Sequence, residues 1–219
     1  EEARRGVFEG EGLYAGYGLT LGNALRRVLL SSIQGAAITQ VKIKGVGHEF
    51  STIPNVKEDV VEIELNLKKV RFQMFTDESQ ILTLKVKGEK VVTASDIQDS
   101  ANVVVVSKDA HIATLTAKNA DLEIELTVER GLGYVPVEAR KTEKLAIGVV
   151  ALDAFFSPVI KVSFVIENMR VGDRIDYNRL RFEIETDGSI SPSKALKFAS
   201  ETLREHFEKV GTLDVQEFE

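Results

Sequence analysis

Two stretches of the chain repeat their apolar residues with the period of an amphipathic helix. The first covers residues 20–33, TLGNALRRVLLSSI, with Thr20 as a suitable N-cap and Gly35 as a suitable stop. One predicted face is apolar and ends in a serine: Leu21, Leu25, Val28, Leu29 and Ser32. The opposite face carries two arginines: Asn23, Arg26, Arg27 and Leu30. The first face suits a core, and the second suits either solvent or a docked partner.

The second amphipathic stretch begins at Ser191 and Pro192, an N-cap serine followed by proline at the first helical position, and ends near Val210. Its apolar stripe consists of Leu196, Ala199, Leu203, Phe207 and Val210, widened by Ala195, Phe198 and Thr202. Two helices with wide apolar faces favour a twofold homodimer, in which they pair with a second copy. The alternative is a monomer whose own sheet covers both helices.

Most of the remaining pattern has the period of two that is typical of strands. Apolar and polar residues alternate, or valines cluster, over residues 38–46, 81–86, 103–106, 122–128, 159–166 and 180–186, with a short strand at 7–9. Residues 131–134 and 140–144 are predicted loops. Residues 56–70 fit both periods. We favour a helix over residues 57–68, because Glu64 and Lys68 form a favourable i,i+4 pair.

Strong helices beside strands at both ends, with a strand-rich middle, predict an α+β fold. One economical arrangement brings the two ends together and makes the middle an insertion. The length of 219 residues suffices for one large or two small domains.

The charge of the chain argues against direct DNA binding. The net charge is −6, and residues 35–156 contribute −3 (15 basic against 18 acidic), the same as the rest of the chain. Cysteine is absent, which excludes disulfides and thiolate metal sites. No apolar run reaches the length of a membrane span and no signal peptide is visible, so we expect a cytoplasmic protein without membrane contact.

Candidate chemistry is sparse. The three histidines, His48, His111 and His206, lack the spacing of metal ligands, so we expect neither a metal nor a cofactor, and no catalytic residue. The glycines of residues 16–22 resemble a phosphate loop weakly, since the spacing is one residue too long for GxGxxG. An enzyme that uses this loop is therefore one competing hypothesis, and a monomeric β-rich binding module is another.

Several segments, spread over nearly the whole chain, closely resemble the amino-terminal domain of bacterial RNA polymerase alpha subunits. They are GLTLGNALRRVLLSSI at 18–33, HEFSTI at 48–53, VKEDV at 56–60, NLK at 66–68, HIATL at 111–115, RGLGYVP at 130–136, FSPV at 156–159, RVG at 170–172 and TDGS at 186–189.

The resemblance implies a discontinuous dimerisation domain, residues 1–34 plus 157–219, made of a mixed sheet and two long helices. A mostly-β domain, residues 35–156, is inserted into it. It also implies a non-catalytic subunit that homodimerises and forms the platform on which the beta and beta-prime subunits assemble for transcription. The implied dimer interface is Leu21, Leu25, Val28, Leu29, Ser32, Leu196, Ala199, Leu203 and Phe207. The implied contact with beta is Asn23, Arg26, Arg27, Leu30, His48, Glu62 and Lys68.

Three departures from the family pattern limit what is carried over. Residues 12–17 read GLYAGY, where the family has an acidic–proline–leucine–glutamate–arginine run. The 140–144 loop is basic, with Arg140, Lys141 and Lys144, so we do not transfer activator contact. The family's carboxy-terminal DNA-binding domain has no counterpart in this sequence, which leads us to expect a fragment.

Overall fold

The computed structural model describes residues 4–140, 146 and 148–213, which form two compact units. One unit contains residues 4–33 and 159–213, and the other contains residues 34–158. Lys141 and Lys144 of the predicted basic loop lie outside the described residues. Within the described residues, strands and three α-helices together give the α+β class.

The unit formed by residues 4–33 and 159–213 is a three-stranded antiparallel sheet covered on one face by two helices. Its elements are β1 (Arg5–Leu13), α1 (Tyr17–Ser31), β12 (Val159–Val171), β13 (Arg174–Thr186) and α3 (Pro192–Gly211). The strand order is β1-β13-β12, and both helices contact the sheet and each other. Alternate residues of β13 (Leu180, Phe182 and Ile184) are buried under the helices. The opposite face carries ion pairs such as that of Arg179 with Glu11, at 2.8 Å.

The predicted start of α1 was wrong. The helix begins at Tyr17, after Gly16 in the left-handed conformation (φ 84°), so Thr20 lies inside it. It ends at Ser31, and Gly35 belongs to the next strand rather than to a helix stop. A side chain distant in sequence caps this helix, so the sequence around Gly16 carries no local N-cap signal. For α3, by contrast, Ser191 and Pro192 mark the observed start.

The unit formed by residues 34–158 is mostly β. Its elements are β2 (Gln34–Ile43), α2 (Val60–Leu67), β3 (Phe72–Met74), β4 (Gln80–Lys87), β5 (Lys90–Thr93), β6 (Val103–Val105), β7 (His111–Leu115), β8 (Asp121–Leu132), β9 (Tyr134–Val135), β10 (Val149–Ala151) and β11 (Ala154–Phe155). The main sheet has the order β4-β8-β2-β3-β6, and β10 also pairs with β2. Two small sheets pair β5 with β7 and β9 with β11. The main core of this unit is large and continuous, from Ala36 in β2 to Leu152.

The ambiguous stretch at residues 56–70 contains a helix, as predicted. Asp59 caps α2 by accepting a hydrogen bond from Glu62 N at 2.7 Å, and Glu62 Oε2 accepts one from Asp59 N at 3.3 Å. This reciprocal capping box satisfies two backbone donors that would otherwise lack partners. Val60, Ile63 and Leu67 are fully buried, so the helical period governs this segment.

The loop predicted at residues 131–134 was wrong. Strand β8 continues to Leu132 and β9 starts at Tyr134, with only Gly133 (φ 60°) between them. Gly131 lies opposite Gly35 of β2, and a Cβ on Gly131 would approach the ring of Phe156 to 2.6 Å. Gly131 therefore leaves room for an aromatic ring, Gly35 leaves room for the backbone carbonyl of Phe156, and neither glycine marks a turn.

Candidate partner-binding surfaces

Asn178 of β13 fixes the start of α1. Its side-chain oxygen accepts hydrogen bonds from Gly16 N at 3.0 Å and Gly18 N at 3.4 Å, and its amide donates to Asn168 Oδ1 at 3.3 Å. Asn178 is buried. Because this amide occupies the backbone donors that a phosphate would need, the geometry excludes the phosphate-loop hypothesis for residues 16–22. No local sequence pattern predicts this cap, since residues 16 and 178 are far apart.

Two glycines of α1 let the helix approach the sheet closely. A Cβ on Gly18 would lie 3.0 Å from a methyl carbon of Ile166. A Cβ on Gly22 would lie 2.6 Å from the ring of Phe164. The glycine spacing that resembled a nucleotide motif thus serves helix–sheet packing.

The apolar face of α1 is turned towards the core of its own unit. Leu29 is fully buried, and Leu21, Leu25 and Val28 are half-buried against the same cluster. Ser32 is half-buried, with its hydroxyl 3.2 Å from that of Ser31. A side chain without exposed surface cannot contact a second copy directly. Leu29 is therefore a core residue, even if the half-buried residues of the same helix face contact a second copy.

The opposite face of α1 is available to a partner. Asn23, Arg26 and Arg27 are exposed, and Leu30 is half-buried. Within the described part of the chain, no ion pair engages Arg26 or Arg27. Among the described residues these two adjacent guanidinium groups have no carboxylate partner, although the net charge of the chain is −6. They can bind carboxylates or backbone carbonyls of another protein.

The apolar stripe of α3 leaves the sheet partway along the helix. Ala199 is fully buried, and Leu196 and Leu203 are half-buried. Towards the carboxy-terminal end Phe207 and Val210 are each 61% exposed. Consecutive turns with this much exposed apolar surface are typical of a helix that packs against another protein.

The remaining predicted contact residues lie in the unit of residues 34–158. His48 is exposed, with Nδ1 3.1 Å from Ser51 Oγ, and Glu62 is exposed within the capping box. Lys68 is half-buried and donates to Asp153 Oδ2 at 3.1 Å. The predicted pair of Glu64 with Lys68 is thus replaced by an ion pair with a residue 85 positions away.

Asp153 anchors the segment that follows β8. Its other oxygen accepts from Val137 N at 3.1 Å, and this hydrogen bond, together with Lys68, lowers the pKa of the Asp153 carboxyl. Arg140 donates to the carbonyl oxygens of Thr39 and Leu152. Arg140 therefore has a structural role that its place in a basic loop did not indicate.

The three histidines have structural partners. Glu58 Oε1 lies 2.9 Å from His111 Nε2, and Glu58 Oε2 accepts from Thr114 N at 2.6 Å. Burial alone would raise the pKa of Glu58, but these hydrogen bonds outweigh it and lower the pKa. His206 lies 2.7 Å from the carbonyl oxygen of Thr202 within α3. Among the described residues no group of three or more side chains could hold a metal ion.

The carboxyl group of Glu64 has a raised pKa, whereas the pKa values of Glu58 and Asp153 are lowered. Glu64 is 7% exposed, and its Oε1 is buried without a hydrogen-bond partner. Burial raises its pKa to about 7, and the nearby carboxylates of Glu49 and Asp59 add to this, while Lys68 opposes it. The sequence predicted an i,i+4 pair of Glu64 with Lys68. Helix periodicity does not reveal that Lys68 binds Asp153 instead.

Comparison with known proteins identifies the family. Residues 41–157 match the family model described as the RNA polymerase Rpb3/RpoA insert domain. The chain is 51% identical over 208 residues to the DNA-directed RNA polymerase subunit alpha of Alkaliphilus oremlandii, covering 95% of this chain and 65% of the relative. It is 49% identical over 208 residues to that of Symbiobacterium thermophilum, covering 95% and 66%, and 48% identical over 205 residues to that of Carboxydothermus hydrogenoformans, covering 94% and 65%.

The chain thus spans about 65% of the length of these curated relatives. No helix in the described ranges is long and apolar enough to cross a membrane. The family match covers more than half of the chain, and the similarity to the relatives extends over nearly all of it. The chain therefore belongs to the family described as the RNA polymerase Rpb3/RpoA insert domain, and it is similar over nearly its whole length to bacterial DNA-directed RNA polymerase alpha subunits.

Proposed function

We propose that this chain acts as a non-catalytic alpha subunit of bacterial DNA-directed RNA polymerase. In this proposal two copies pair, and the dimer forms the platform on which the beta and beta-prime subunits assemble. The observation that carries it is the two-sided character of α1. One face packs on its own sheet, and the other presents Asn23, Arg26 and Arg27 to solvent.

In the proposed dimer, the parts of the apolar faces of α1 and α3 that the sheet leaves uncovered pack against the second copy. Phe207 of α3 contributes exposed apolar surface. The half-buried residues of the two apolar faces add to it: Leu21, Leu25, Val28, Ser32, Leu196 and Leu203. Leu29 and Ala199 support these residues from the core. Pairing would bury apolar surface that is otherwise in water, at about 25 cal/mol per Å².

The proposed contact with the beta subunit has two parts, one in each unit. Asn23, Arg26, Arg27 and Leu30 form the part on α1, and His48, Glu62 and Lys68 form the part in residues 34–158. The proposal includes the assignment of residues 1–34 plus 157–219 as the dimerisation domain and of residues 35–156 as the inserted domain.

Reconstitution of the full chain with the beta subunit tests this function. Light scattering should give a two-copy mass for the chain alone. Arg27→Ala should weaken binding of beta by roughly 1–2 kcal/mol, because an arginine that becomes buried when an interface forms is a frequent energetic anchor of that interface. The dimer mass should not change, since Arg27 lies on the exposed face of α1.

Arg181→Ala is the matched control, because Arg181 is an exposed arginine on the opposite, charged face of the same sheet. It should bind beta as the parent chain does. A one-copy mass at micromolar concentration, or equal binding by Arg27→Ala and the parent chain, would contradict the proposal. The first result would favour a monomeric β-rich binding module.

A further inference from the structure

Residues 46–65 combine negative charge with exposed apolar side chains. The segment holds five carboxylates (Glu49, Glu58, Asp59, Glu62 and Glu64) against one lysine, Lys57. Phe50 is 78% exposed and Leu65 is 53% exposed. The hydrogen bond from Val60 N to Ser51 O, at 3.3 Å, holds the loop before α2 against the start of that helix.

Three of the five carboxylates have their own partners. Glu58 binds His111 and Thr114, and Asp59 and Glu62 cap α2 reciprocally. Glu49 and Glu64 remain. Burial raises the pKa of Glu64, and the charge of Glu49 lies close enough to raise it further.

The lysine that could have neutralised Glu64 is engaged elsewhere. Lys68, one helical turn further on, is held 3.1 Å from Asp153. Among the described residues no other cation forms an ion pair with Glu64, and its Oε1 has no donor. A buried carboxylate without a partner is costly, and a cation brought by another molecule would remove that cost.

We propose that Glu64 and Glu49 form a receptor for a lysine or arginine side chain of a protein partner, with Phe50 and Leu65 as the apolar part of the same surface. The charge of residues 46–65 selects a cationic occupant. The inference rests on the proposed function, because the basic side chain would belong to the large subunit that docks on the unit of residues 34–158. The occupant is thus a basic side chain flanked by apolar residues.

Binding of the reconstituted beta subunit to the full chain tests the receptor. Glu64→Gln keeps the shape of the side chain and removes its charge, and it should raise the dissociation constant at least about tenfold. Glu49→Gln should raise it less, by about threefold, because Glu49 is exposed and its charge is screened. Both variants should reduce the salt dependence of binding. The affinity of the parent chain should rise from pH 6 to pH 8, and Glu64→Gln should lose this rise.

The controls separate this inference from the proposed function. Glu125→Gln removes an exposed carboxylate from β8 in the same unit and should bind beta like the parent chain. If Glu64→Gln and Glu49→Gln both bind normally while Arg27→Ala binds weakly, the receptor is refuted and the proposed function stands. If Arg27→Ala also binds normally, the proposed function fails as well. Stabilisation of the parent chain, but not of Glu64→Gln, by millimolar magnesium alone would identify a metal site and overturn the proposal.

Discussion

The carboxyl group of Glu64 titrates where water barely reaches it. Burial first, and the charges of Glu49 and Asp59 second, raise its pKa to about 7 from its ordinary value of 4.5. The folded chain therefore binds a proton on Glu64 more tightly than the unfolded chain does. Stability from this group is fully present below pH 4.5 and is lost as the pH rises through 7. This sign is opposite to that of Glu58 and Asp153, whose pKa values are lowered.

Glu64→Gln should stabilise the free chain at pH 8, because glutamine mimics the protonated acid. One pKa unit corresponds to about 1.4 kcal/mol, so the rise of the Glu64 pKa to about 7 predicts a gain of roughly 3 kcal/mol at pH 8 and little change at pH 4.5. Urea unfolding at both pH values measures this. Glu125→Gln, at an exposed position of β8, should leave the difference between the two pH values as it is in the parent chain. An equal or lower stability of Glu64→Gln at pH 8 would contradict the assigned environment.

Residue roles were predictable only where the partner lies close in sequence. The Asp59–Glu62 capping box joins residues three positions apart, and Pro192 marks its own helix start. Asn178 and Lys68, by contrast, bind groups 162 and 85 positions away. A local pattern contains no information about such pairs, so the α1 cap and the unpaired Glu64 could be found only from the fold.

At the scale of elements, the long amphipathic and alternating segments were predictable. The period-two pattern located β4, β8, β12 and β13, and the wide apolar stripe located α3. The short strands β3, β5 and β7 were not individually predicted, since three to five residues carry too little pattern. Glycines caused the clearest errors, because Gly35 and Gly131 looked like breaks and in fact lie inside paired strands. Phe156 explains both glycines, because its ring lies against Gly131 and its backbone carbonyl lies against Gly35, and no local rule anticipates these contacts.

Gly22→Ala tests the close contact of α1 with the sheet. Alanine is better than glycine in a helix by about 1 kcal/mol, but its Cβ would lie 2.6 Å from the Phe164 ring. That ring packs against Phe182 with centroids 5.6 Å apart, so it cannot move freely. Overpacking costs about 1–3 kcal/mol, so we expect a net loss of roughly 1 kcal/mol in the free energy of unfolding.

The double variant Gly22→Ala with Phe164→Leu is the control for this contact. The smaller side chain makes room for the new methyl group, so adding Gly22→Ala to Phe164→Leu should be neutral or stabilising. Chemical denaturation of all four chains gives the coupling between the two sites. A stabilising effect of Gly22→Ala in the parent background would show that the helix does not depend on this approach.

At the scale of the whole molecule, burial within one copy separates the predicted interface residues into two groups. Leu29 and Ala199 are fully buried, whereas Phe207 is 61% exposed. A charge at Leu29 would unfold the unit and would give no information on pairing. The sequence showed the full stripe but could not show where the sheet stops covering it, because that depends on strand lengths and on the path of α3.

Phe207→Glu should convert the proposed dimer to a monomer without unfolding the chain. The side chain is mostly in water in one copy, so the free copy loses little, while a carboxylate buried in a dimer would cost several kcal/mol. Sedimentation velocity together with thermal unfolding measures both effects. Lys209→Glu, an exposed residue on the other side of the same helical turn, should keep the two-copy mass. Intact Phe207→Glu dimers would remove α3 from the interface.

The capping of α1 by Asn178 also has a consequence for synthesis on the ribosome. Gly16 and Gly18 leave the ribosome about 160 residues before the side chain that caps them. At about 5–20 residues per second, α1 must wait roughly 8–30 s for β13. All strands of the main sheet in residues 34–158 are made during that interval. We therefore expect that unit to fold while the chain is still growing, with the nascent α1 open to chaperones until the last strands arrive.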